Sequence, residues 1–305
     1  RARMMLDIYR DFLENELAIP VIPGVKSETE KFAGAVRTYT VEAMMGGKFW
    51  ALQSGTSHYL GENFSKAFGI DFLDKDGERK FAHGTSWGLS QRTIGAVVMV
   101  HGDDAGLKLP PRVAPIQAVI IPIWRKDAER DGVEDHVSRV INALGDVRTF
   151  IDRRDDKTPG WKFNEWELRG VPLRIEVGPR DVQSGNAVVV RRDTREKQVV
   201  AIDQLEQVVA DLLVEIQASL YTTALERQKA HTVPVTSLGE LYDRAASNAG
   251  FSVASWCGDE ACEATVKDAS KATIRCLPFD QPNEHGPCIV CGKPGVTEAI
   301  FARAY

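Results

Sequence analysis

The sequence predicts a protein of the α+β class, and three regions of different texture support this prediction. The first region alternates short apolar runs with glycine-rich turns, and the second alternates strand-like with helix-like segments, the pattern of a compact α/β domain. The third contains all five cysteines. Because 305 residues are enough for two or three domains with cores of their own, we place the domains at 1–108, 109–226 and 227–305.

The first region begins with a predicted amphipathic helix, since residues 1–17 carry apolar side chains at helical spacing. In the segment 51–61, ALQSGTSHYLG, we predict the end of a strand followed by a polar loop. The segment 85–99 predicts a strand of small residues, then Arg92, then an apolar helix. A linker at 101–115 follows, because its paired prolines prevent a helix from continuing.

The second region predicts strands and helices in alternation. We take Asp203 as the N-cap of a long apolar helix. Further helices are predicted at 133–144 and, in the third region, 238–249. Extended segments are predicted at 118–123, 147–151, 173–177 and 187–190.

Composition excludes some classes of function. The formal net charge of -5 argues against a simple basic nucleic-acid binder, so any contact with RNA is expected from local patches. No apolar run in the sequence approaches the roughly 20 residues that a membrane span needs, so we expect no span. No signal peptide is recognised. The chain is expected to begin inside a domain. Cysteines confined to one region favour a metal site in a reducing compartment, and hence a cytoplasmic protein.

The cysteines form two short pairs, Cys257-x4-Cys262 and Cys288-x2-Cys291, separated by 25 residues. Two such turns predict a closed four-sulfur zinc site of structural type. The alternatives are five unrelated buried thiols, or a DNA-reading zinc finger, although no basic recognition helix lies between the pairs. Cys276 stands alone and is predicted to be a core residue.

Two segments carry side chains suited to a small polar ligand. Gln53, Thr56 and His58 lie close in sequence to Gly55 and Gly61, which permit a ligand to approach the backbone. Arg92 lies at a predicted strand-to-helix junction, where a guanidinium can stack on adenine or pair with phosphate. The plainer interpretations are an ordinary polar loop and a surface salt bridge.

Several longer strings, in order along the whole chain, resemble those of prolyl-tRNA synthetases, most closely the archaeal and eukaryotic-type branch. They are EKFAGA (30–35), LQSGTSHYLGENFSKAF (52–68), TSWGLSQR (85–92), HGDD (101–104), LPPRVAPIQ (109–117), TPGWKFNEWELRGVPLRIEVGPRD (158–181) and FARAY (301–305). The resemblance implies the C-terminal part of a class II synthetase catalytic domain built on an antiparallel sheet. An α/β anticodon-binding domain and a small α/β zinc-binding C-terminal domain would follow.

The resemblance also implies roles for individual residues. Residues 85–99 match motif 3 of the class, in which Arg92 stacks on ATP and is the catalytic residue. Gln53 and Thr56 would contact ATP, Gln53 would also lie near Mg²⁺, and Ser90 would lie beside the nucleotide. His58 would line the proline pocket. Motifs 1 and 2 are expected to precede residue 1, and no editing insertion is expected.

A reader of the two adjacent guanines of a proline anticodon needs carboxylates and cations together. Residues 158–181 supply both, with Glu165, Glu167, Asp181, Lys162 and several arginines, and with Trp161, Phe163 and Trp166 to stack on unpaired bases. The resemblance favours Glu167, Arg174 and Arg180 as the reading set. Without it, a solvated charged face is the simpler interpretation.

The implied activity is the ATP-dependent joining of L-proline to tRNA(Pro), by a homodimer that has no membrane or DNA partner. Its cofactors would be Mg²⁺ and structural Zn²⁺, and the carboxylate of Tyr305 would approach the active site. Two alternatives remain. One is a catalytically silent paralogue that retains tRNA binding, and the other is a different class II synthetase.

Overall fold

The computed structural model describes residues 1–305 and contains two compact units. Unit 1 comprises residues 1–15, 19–100 and 224–305, and unit 2 comprises 16–18 and 101–223. The C-terminal residues thus share a unit with the N-terminal region, and the division into three domains stays a prediction.

The chain forms fifteen strands and nine α-helices, labelled in chain order. The strands are β1 Val21–Val25, β2 Arg37–Met44, β3 Ala51–Gly61, β4 Asp71–Leu73, β5 Arg79–Phe81, β6 Gly84–Gly88, β7 Ala118–Pro122, β8 Thr149–Ile151, β9 Leu173–Val177, β10 Asn186–Arg191, β11 Lys197–Ala201, β12 Thr232–Pro234, β13 Phe251–Trp256, β14 Thr273–Pro278 and β15 Thr297–Ala302. The helices are α1 Ala2–Asp11, α2 Asn63–Phe68, α3 Arg92–His101, α4 Asp127–Leu144, α5 Pro159–Leu168, α6 Pro179–Ser184, α7 Leu205–His231, α8 Leu238–Ala246 and α9 Glu260–Ser270.

Unit 1 is built on an eight-stranded sheet in the order β12-β13-β15-β14-β1-β2-β3-β6. All neighbours are antiparallel except β12 and β13. Strands β1 and β14 join its two halves through only two residue pairs, Gly24 with Pro278 and Val25 with Leu277. The predicted amphipathic helix is confirmed: α1 buries Leu6 and Tyr9, and its apolar face packs on β2 and β3.

Unit 2 is built on a mixed five-stranded sheet in the order β11-β10-β9-β7-β8. Strand β7 is buried on both faces, because its side chains alternate between two cores. Ala118 and Ile120 pack with α4 and α7, whereas Val119 and Ile121 pack with Trp166 of α5. The α/β architecture predicted for this region is therefore confirmed.

Several predicted boundaries were wrong. Residues 51–61 are one continuous strand, not a strand end and a loop. Helix α4 begins six residues earlier than predicted, because Glu129 Oε2 accepts hydrogen bonds from the backbone N–H groups of Arg125 and Lys126. Asp203 does not cap α7, since it lies within a 3₁₀ turn that leads into that helix. Helix α8 ends at Ala246, and Asn248 soon after adopts a positive φ of 53°.

One helix, Ile202–His231, is long and apolar enough by length and composition to cross a membrane, although none was expected. Its apolar residues Leu205, Val209 and Ile216 belong to the core of unit 2, while its exposed face carries Glu206, Gln207, Asp211 and Glu215 beside the exposed Val214. This packing favours a core helix over a membrane span.

Candidate functional site

A β-bulge gathers three of the predicted site residues on one face of the sheet of unit 1. Strand β3 has one extra residue at Ser54, so that Val41 lies opposite Gly55 and Glu42 opposite Gln53. Because side chains alternate along a strand, residues 53 and 56 would otherwise point to opposite faces. With the bulge, Gln53, Thr56 and His58 are all half-buried, while Gly55 and Ser57 between them are buried.

Arg92 lies at the edge of this face, at the start of α3. Its Nη1 donates to the backbone oxygen of Gln53 at 3.3 Å, and its backbone N–H donates to Ser90 Oγ at 3.3 Å. The guanidinium is exposed and has no carboxylate partner among the ion pairs of the structure. The structure thus brings Gln53, Ser90 and Arg92 together and leaves the cation available to an anionic ligand, so the salt-bridge interpretation of Arg92 is not supported.

His58 packs against Thr38 and Phe32. Its Nδ1 is 2.9 Å from Thr38 Oγ1, and its ring centroid is 4.8 Å from that of Phe32. Thr38 Oγ1 also accepts the backbone N–H of Phe32 at 3.0 Å. Burial lowers the pKa of His58 below its usual 6.5, so the imidazole is neutral at pH 7. Sequence reasoning assigned no role to Phe32 or Thr38, although Phe32 is part of EKFAGA.

On the same face, directly opposite Gln53, Glu42 is a fully buried carboxylate that sequence reasoning missed. Its Oε1 accepts from Lys26 Nζ and Thr40 Oγ1, each at 2.9 Å. Its Oε2 accepts from the guanidinium of Arg275 at 3.2 Å and 3.3 Å. Both cations pair with the one carboxylate, so that Glu42 is not an unpaired buried charge, while the three groups together carry one excess positive charge. The alternating pattern of β2 was the available signal, since it puts Glu42 on the polar face.

The four paired cysteines meet in one cluster. Their sulfur atoms all lie within 4.8 Å of one another, and Cys257 Sγ lies 3.7 Å from the sulfurs of Cys262 and Cys291. Bonds of about 2.3 Å to a tetrahedral ion correspond to sulfur separations of about 3.8 Å, whereas a disulfide requires about 2.05 Å. The set therefore fits a metal ion. Cys276 lies apart in β14 and is fully buried, which confirms it as a core residue.

Backbone geometry prepares this cluster for a cation. Gly258 and Gly292 adopt positive φ angles of 84° and 72° beside the two pairs. Burial raises the pKa of the Cys257 and Cys262 thiols. Burial also opposes ionisation of Cys288, yet backbone N–H groups, among them that of Cys291, lower its pKa to about 7. These N–H groups thus favour the thiolate of Cys288, which is the form that binds a metal ion.

Unit 2 contains a basic cleft with a volume of about 220 Å³. Glu167 and Arg174 both line it, and Glu167 Oε1 pairs with Arg195 Nε at 2.9 Å. The Arg174 guanidinium lies 4.2 Å from the centroid of the Phe163 ring. Further cations around the cleft that sequence reasoning missed come from the run RRDTREK at 191–197, and they are Arg191, Arg192, Arg195 and Lys197.

Other residues proposed for base recognition are placed differently. Arg180 lies exposed in the first turn of α6 and does not line the cleft. Trp166 was expected to stack on bases, but it is buried and donates Nε1–H to Asp152 Oδ2 at 2.8 Å. Lys162 is also buried and donates to the backbone oxygen of Asp152. Asp181 caps α6 by accepting the N–H of Gly178. Phe163 is half-buried beneath the Arg174 guanidinium, and Trp161 is exposed with the Arg154 guanidinium 5.0 Å from its ring centroid.

The HGDD motif supports the wall of the cleft. Asp103 accepts two hydrogen bonds from the buried Arg192 guanidinium, at 2.6 Å and 3.1 Å, and Arg192 Nε donates to the backbone oxygen of Glu167. These contacts with Arg192, with a further contribution from Lys108, hold the pKa of Asp103 well below its usual range. Asp103 thereby fixes the backbone that carries Glu167.

The C-terminal residues lie beside the beginning of β3. The backbone N–H of Ala51 donates to the oxygen of Arg303 at 2.9 Å, and that of Tyr305 donates to the oxygen of Ala51 at 3.1 Å. The side chain of Tyr305 is exposed.

Comparisons with known proteins agree with this geometry. The family model described as an anticodon binding domain matches residues 117–212, and the one described as the C-terminal region of prolyl-tRNA synthetase matches 240–305. Proline–tRNA ligase from Lachnospira eligens is 50% identical over 309 residues, covering 100% of this chain and 63% of the relative. The chain belongs to the prolyl-tRNA synthetase family.

Other members of the prolyl-tRNA synthetase family agree. The ligase from Symbiobacterium thermophilum is 51% identical over 311 residues, covering 99% of this chain and 63% of the relative. A prolyl-tRNA synthetase from Cryptosporidium parvum, solved with L-proline and AMP, superposes with a TM-score of 0.92 at 39% identity, covering 100% of this chain and 66% of that one. The predicted fold class is confirmed. The chain spans about 63% of the length of these curated relatives.

Proposed function

We propose that the protein containing this chain is a proline–tRNA ligase. It activates L-proline with ATP to give prolyl-adenylate and then transfers proline to the 3′ end of tRNA(Pro). The observation that carries this proposal is the polar face of β3, where Gln53, Thr56 and His58 share one side of the sheet and Arg92 lies at its edge. Family membership along the whole chain supports the assignment of substrates.

In the first step, an oxygen of the proline carboxylate attacks the α-phosphorus of ATP, and pyrophosphate leaves. In the second, the terminal ribose hydroxyl of the tRNA attacks the carbonyl of the adenylate, and AMP leaves. Neither step needs a protein nucleophile, because positioning and charge stabilisation supply the rate.

Each residue has a role in this scheme. Gln53 and Thr56 contact ATP, and Ser90 lies beside the nucleotide. The exposed guanidinium of Arg92 stacks on ATP and offsets negative charge during phosphoryl attack. His58, neutral at pH 7, lines the proline pocket. It therefore adds no cation that would repel the positively charged secondary ammonium group of proline. Mg²⁺ beside Gln53 would offset charge on the phosphates.

Unit 2 reads the anticodon in this proposal. Glu167 accepts from the N–H donors of guanine, while Arg174 and Arg180 supply cations for its O6 acceptor and for phosphate. The cleft that holds Glu167 and Arg174 among several arginines supports this role. Because Arg180 lies outside the cleft, we assign it to a neighbouring base or phosphate.

The cysteine cluster holds structural Zn²⁺ in this proposal. Cys257, Cys262, Cys288 and Cys291 leave no coordination position open, so the ion cross-links β13, α9 and the turn after β14 and takes no part in the reaction. We further propose that the protein is a cytoplasmic homodimer.

The decisive experiment is pyrophosphate exchange with each of the twenty amino acids, using the intact protein. We expect exchange with proline only. Arg92→Ala should reduce proline-dependent exchange at least ~100-fold, the usual cost of a lost electrostatic contact in a transition state. Arg79→Ala is the matched control, because Arg79 pairs with Asp71 on the exposed β4–β5 hairpin of the same unit.

The outcomes separate the alternatives. Near-normal exchange in Arg92→Ala would refute the role of Arg92. Exchange with another amino acid would indicate a different class II synthetase, and absence of exchange together with tRNA binding would indicate a silent paralogue.

A further inference from the structure

The loop at residues 26–36, between β1 and β2, packs Phe32 against His58, which lines the amino-acid pocket in the proposed function. Phe32 in this loop contacts the His58 ring, with 4.8 Å between the ring centroids. The loop has few internal backbone hydrogen bonds, namely those from the N–H of Lys31 to the oxygen of Ser27 and from the N–H of Ala35 to the oxygen of Phe32. Two side-chain contacts, Ser27 with Thr29 and Lys31 with Glu28, lie on its surface or between near neighbours. Its position therefore depends on contacts with other elements.

Helix α9, which carries the cluster cysteine Cys262, supplies two of those contacts. Ser27 Oγ donates to Glu263 Oε1 at 2.8 Å, and both side chains are buried. Lys267 Nζ pairs with Glu30 Oε1 at 3.1 Å, but Lys267 is exposed and solvent weakens that pair. The buried contact between Ser27 and Glu263 is thus the stronger of the two anchors.

The Glu263 carboxylate needs this partner. Its residue is 3% exposed, and its second oxygen, Oε2, has no hydrogen-bond partner. A buried carboxylate is costly unless hydrogen-bonded, so the bond from Ser27 is favoured over an open arrangement. Glu263 directly follows Cys262, whose sulfur belongs to the four-cysteine cluster. A metal ion bound by Cys262 would therefore also restrict the position of the neighbouring Glu263.

We propose that Glu263 is a positioning residue for the pocket of His58. Through Ser27 it holds the loop 26–36, and with it Phe32, against His58, so that the metal cluster orders a wall of the amino-acid pocket. Cys262 is bonded to Glu263, which accepts from Ser27. The backbone oxygen of Ser27 accepts from the N–H of Lys31, and the next residue, Phe32, packs on His58. The identity of the ligand in this pocket, proline, rests on the proposed function.

The first test is Ser27→Ala in the intact protein, because it removes the hydrogen bond without touching the cluster. In pyrophosphate exchange we expect KM for proline to rise about fivefold or more, the effect of one net hydrogen bond, while KM for ATP and kcat stay unchanged. Glu263→Ala should have the same effect. Glu263→Gln, which keeps an acceptor for Ser27, should recover most of the affinity. Asp268→Asn, an exposed change on the same helix, is the matched control and should leave KM for proline unaltered.

A second measurement does not depend on activity. We expect hydrogen exchange of the Lys31 and Ala35 amides to accelerate about fivefold in Ser27→Ala, and also when a chelator removes Zn²⁺ from the wild type. Amides of α3 should keep their protection in Ser27→Ala.

The proposal would be overturned if Ser27→Ala left the hydrogen exchange of the Lys31 and Ala35 amides unchanged, or if it left KM for proline unchanged. It would also be overturned if the amides of the loop kept their protection from hydrogen exchange after metal removal. The same holds if Ser27→Ala lowered amide protection throughout unit 1. If the wild type shows no pyrophosphate exchange with proline, the proposed function fails. The hydrogen-exchange measurement still decides whether the cysteine cluster orders the loop 26–36.

Discussion

Asp152 organises the helix that carries Glu167. The side chain is almost completely buried, and its oxygens accept from Arg154 Nε and Trp166 Nε1, each at 2.8 Å. Its backbone oxygen accepts from Lys162 Nζ. Lys162 and Trp166 both belong to α5, so Asp152 attaches this helix to the end of β8. Burial alone would raise the pKa of Asp152, but the hydrogen bonds lower it to about 2.

This pKa gives a prediction for stability. Because the folded pKa of about 2 lies below the usual 3.8, the contribution of Asp152 is present above pH 3.8 and is lost as the pH falls through about 2. Asp152→Asn should therefore lower the free energy of unfolding by roughly 2 kcal/mol at pH 7. Denaturant unfolding should show the gap between the two proteins closing near pH 2. An equal gap at both pH values would contradict this origin, and the exposed Asp156→Asn is the control.

Sequence alone was least informative about which face each side chain of α5 occupies. Trp161 and Trp166 are five residues apart, and at 3.6 residues per turn they lie about 140° apart around the helix. They cannot both face a ligand. Composition marked both as stacking candidates, but only the packing on Asp152 and the core decides that Trp166 is internal.

At the scale of elements, strand β3 was the largest error of local interpretation. Its glycines, serines and threonines are typical of a loop, yet pairing with β2 on one side and β6 on the other makes it a strand. Those partners are distant in sequence, so local composition cannot reveal them. The bulge at Ser54 brings Gln53, Thr56 and His58 to one face, and their roles in a site stay a prediction.

The cysteine turns, by contrast, could be predicted from spacing, because paired thiols close in sequence reach a common ion with little help from the fold. Cys288→Ser should lower both bound zinc, measured by elemental analysis, and the midpoint of thermal unfolding. Cys276→Ala, which alters a core residue outside the cluster, should keep the zinc. Full zinc retention in Cys288→Ser would count against Cys288 as a ligand.

At the scale of the whole molecule, the residues proposed for adenylate formation belong to unit 1 and those proposed for the anticodon belong to unit 2. Glu167→Ala should therefore lower kcat/KM for charging of tRNA(Pro) about tenfold or more, the cost of a lost charged hydrogen bond, and leave pyrophosphate exchange unchanged. Glu134→Ala, which breaks a surface pair with Arg153 in the same unit, is the control. Equal damage to charging and exchange would point to a folding defect.

The order of the large sheet could not be predicted from the sequence. The texture of the chain changes near residue 227, which suggested a separate domain, but β14 pairs with β1 across most of the length of the chain. Nothing in either segment specifies that partner locally.

That junction restricts one position severely. A Cβ on Gly24 would lie well within the van der Waals contact distance of the Leu277 carbonyl oxygen and 2.9 Å from Cys276 Cβ. Even alanine at this position would thus force β1 and β14 apart where they are joined by only two residue pairs. Water could then reach the buried ionic groups of Lys26, Glu42 and Arg275. The eight strands therefore form one continuous sheet only because residue 24 has no side chain.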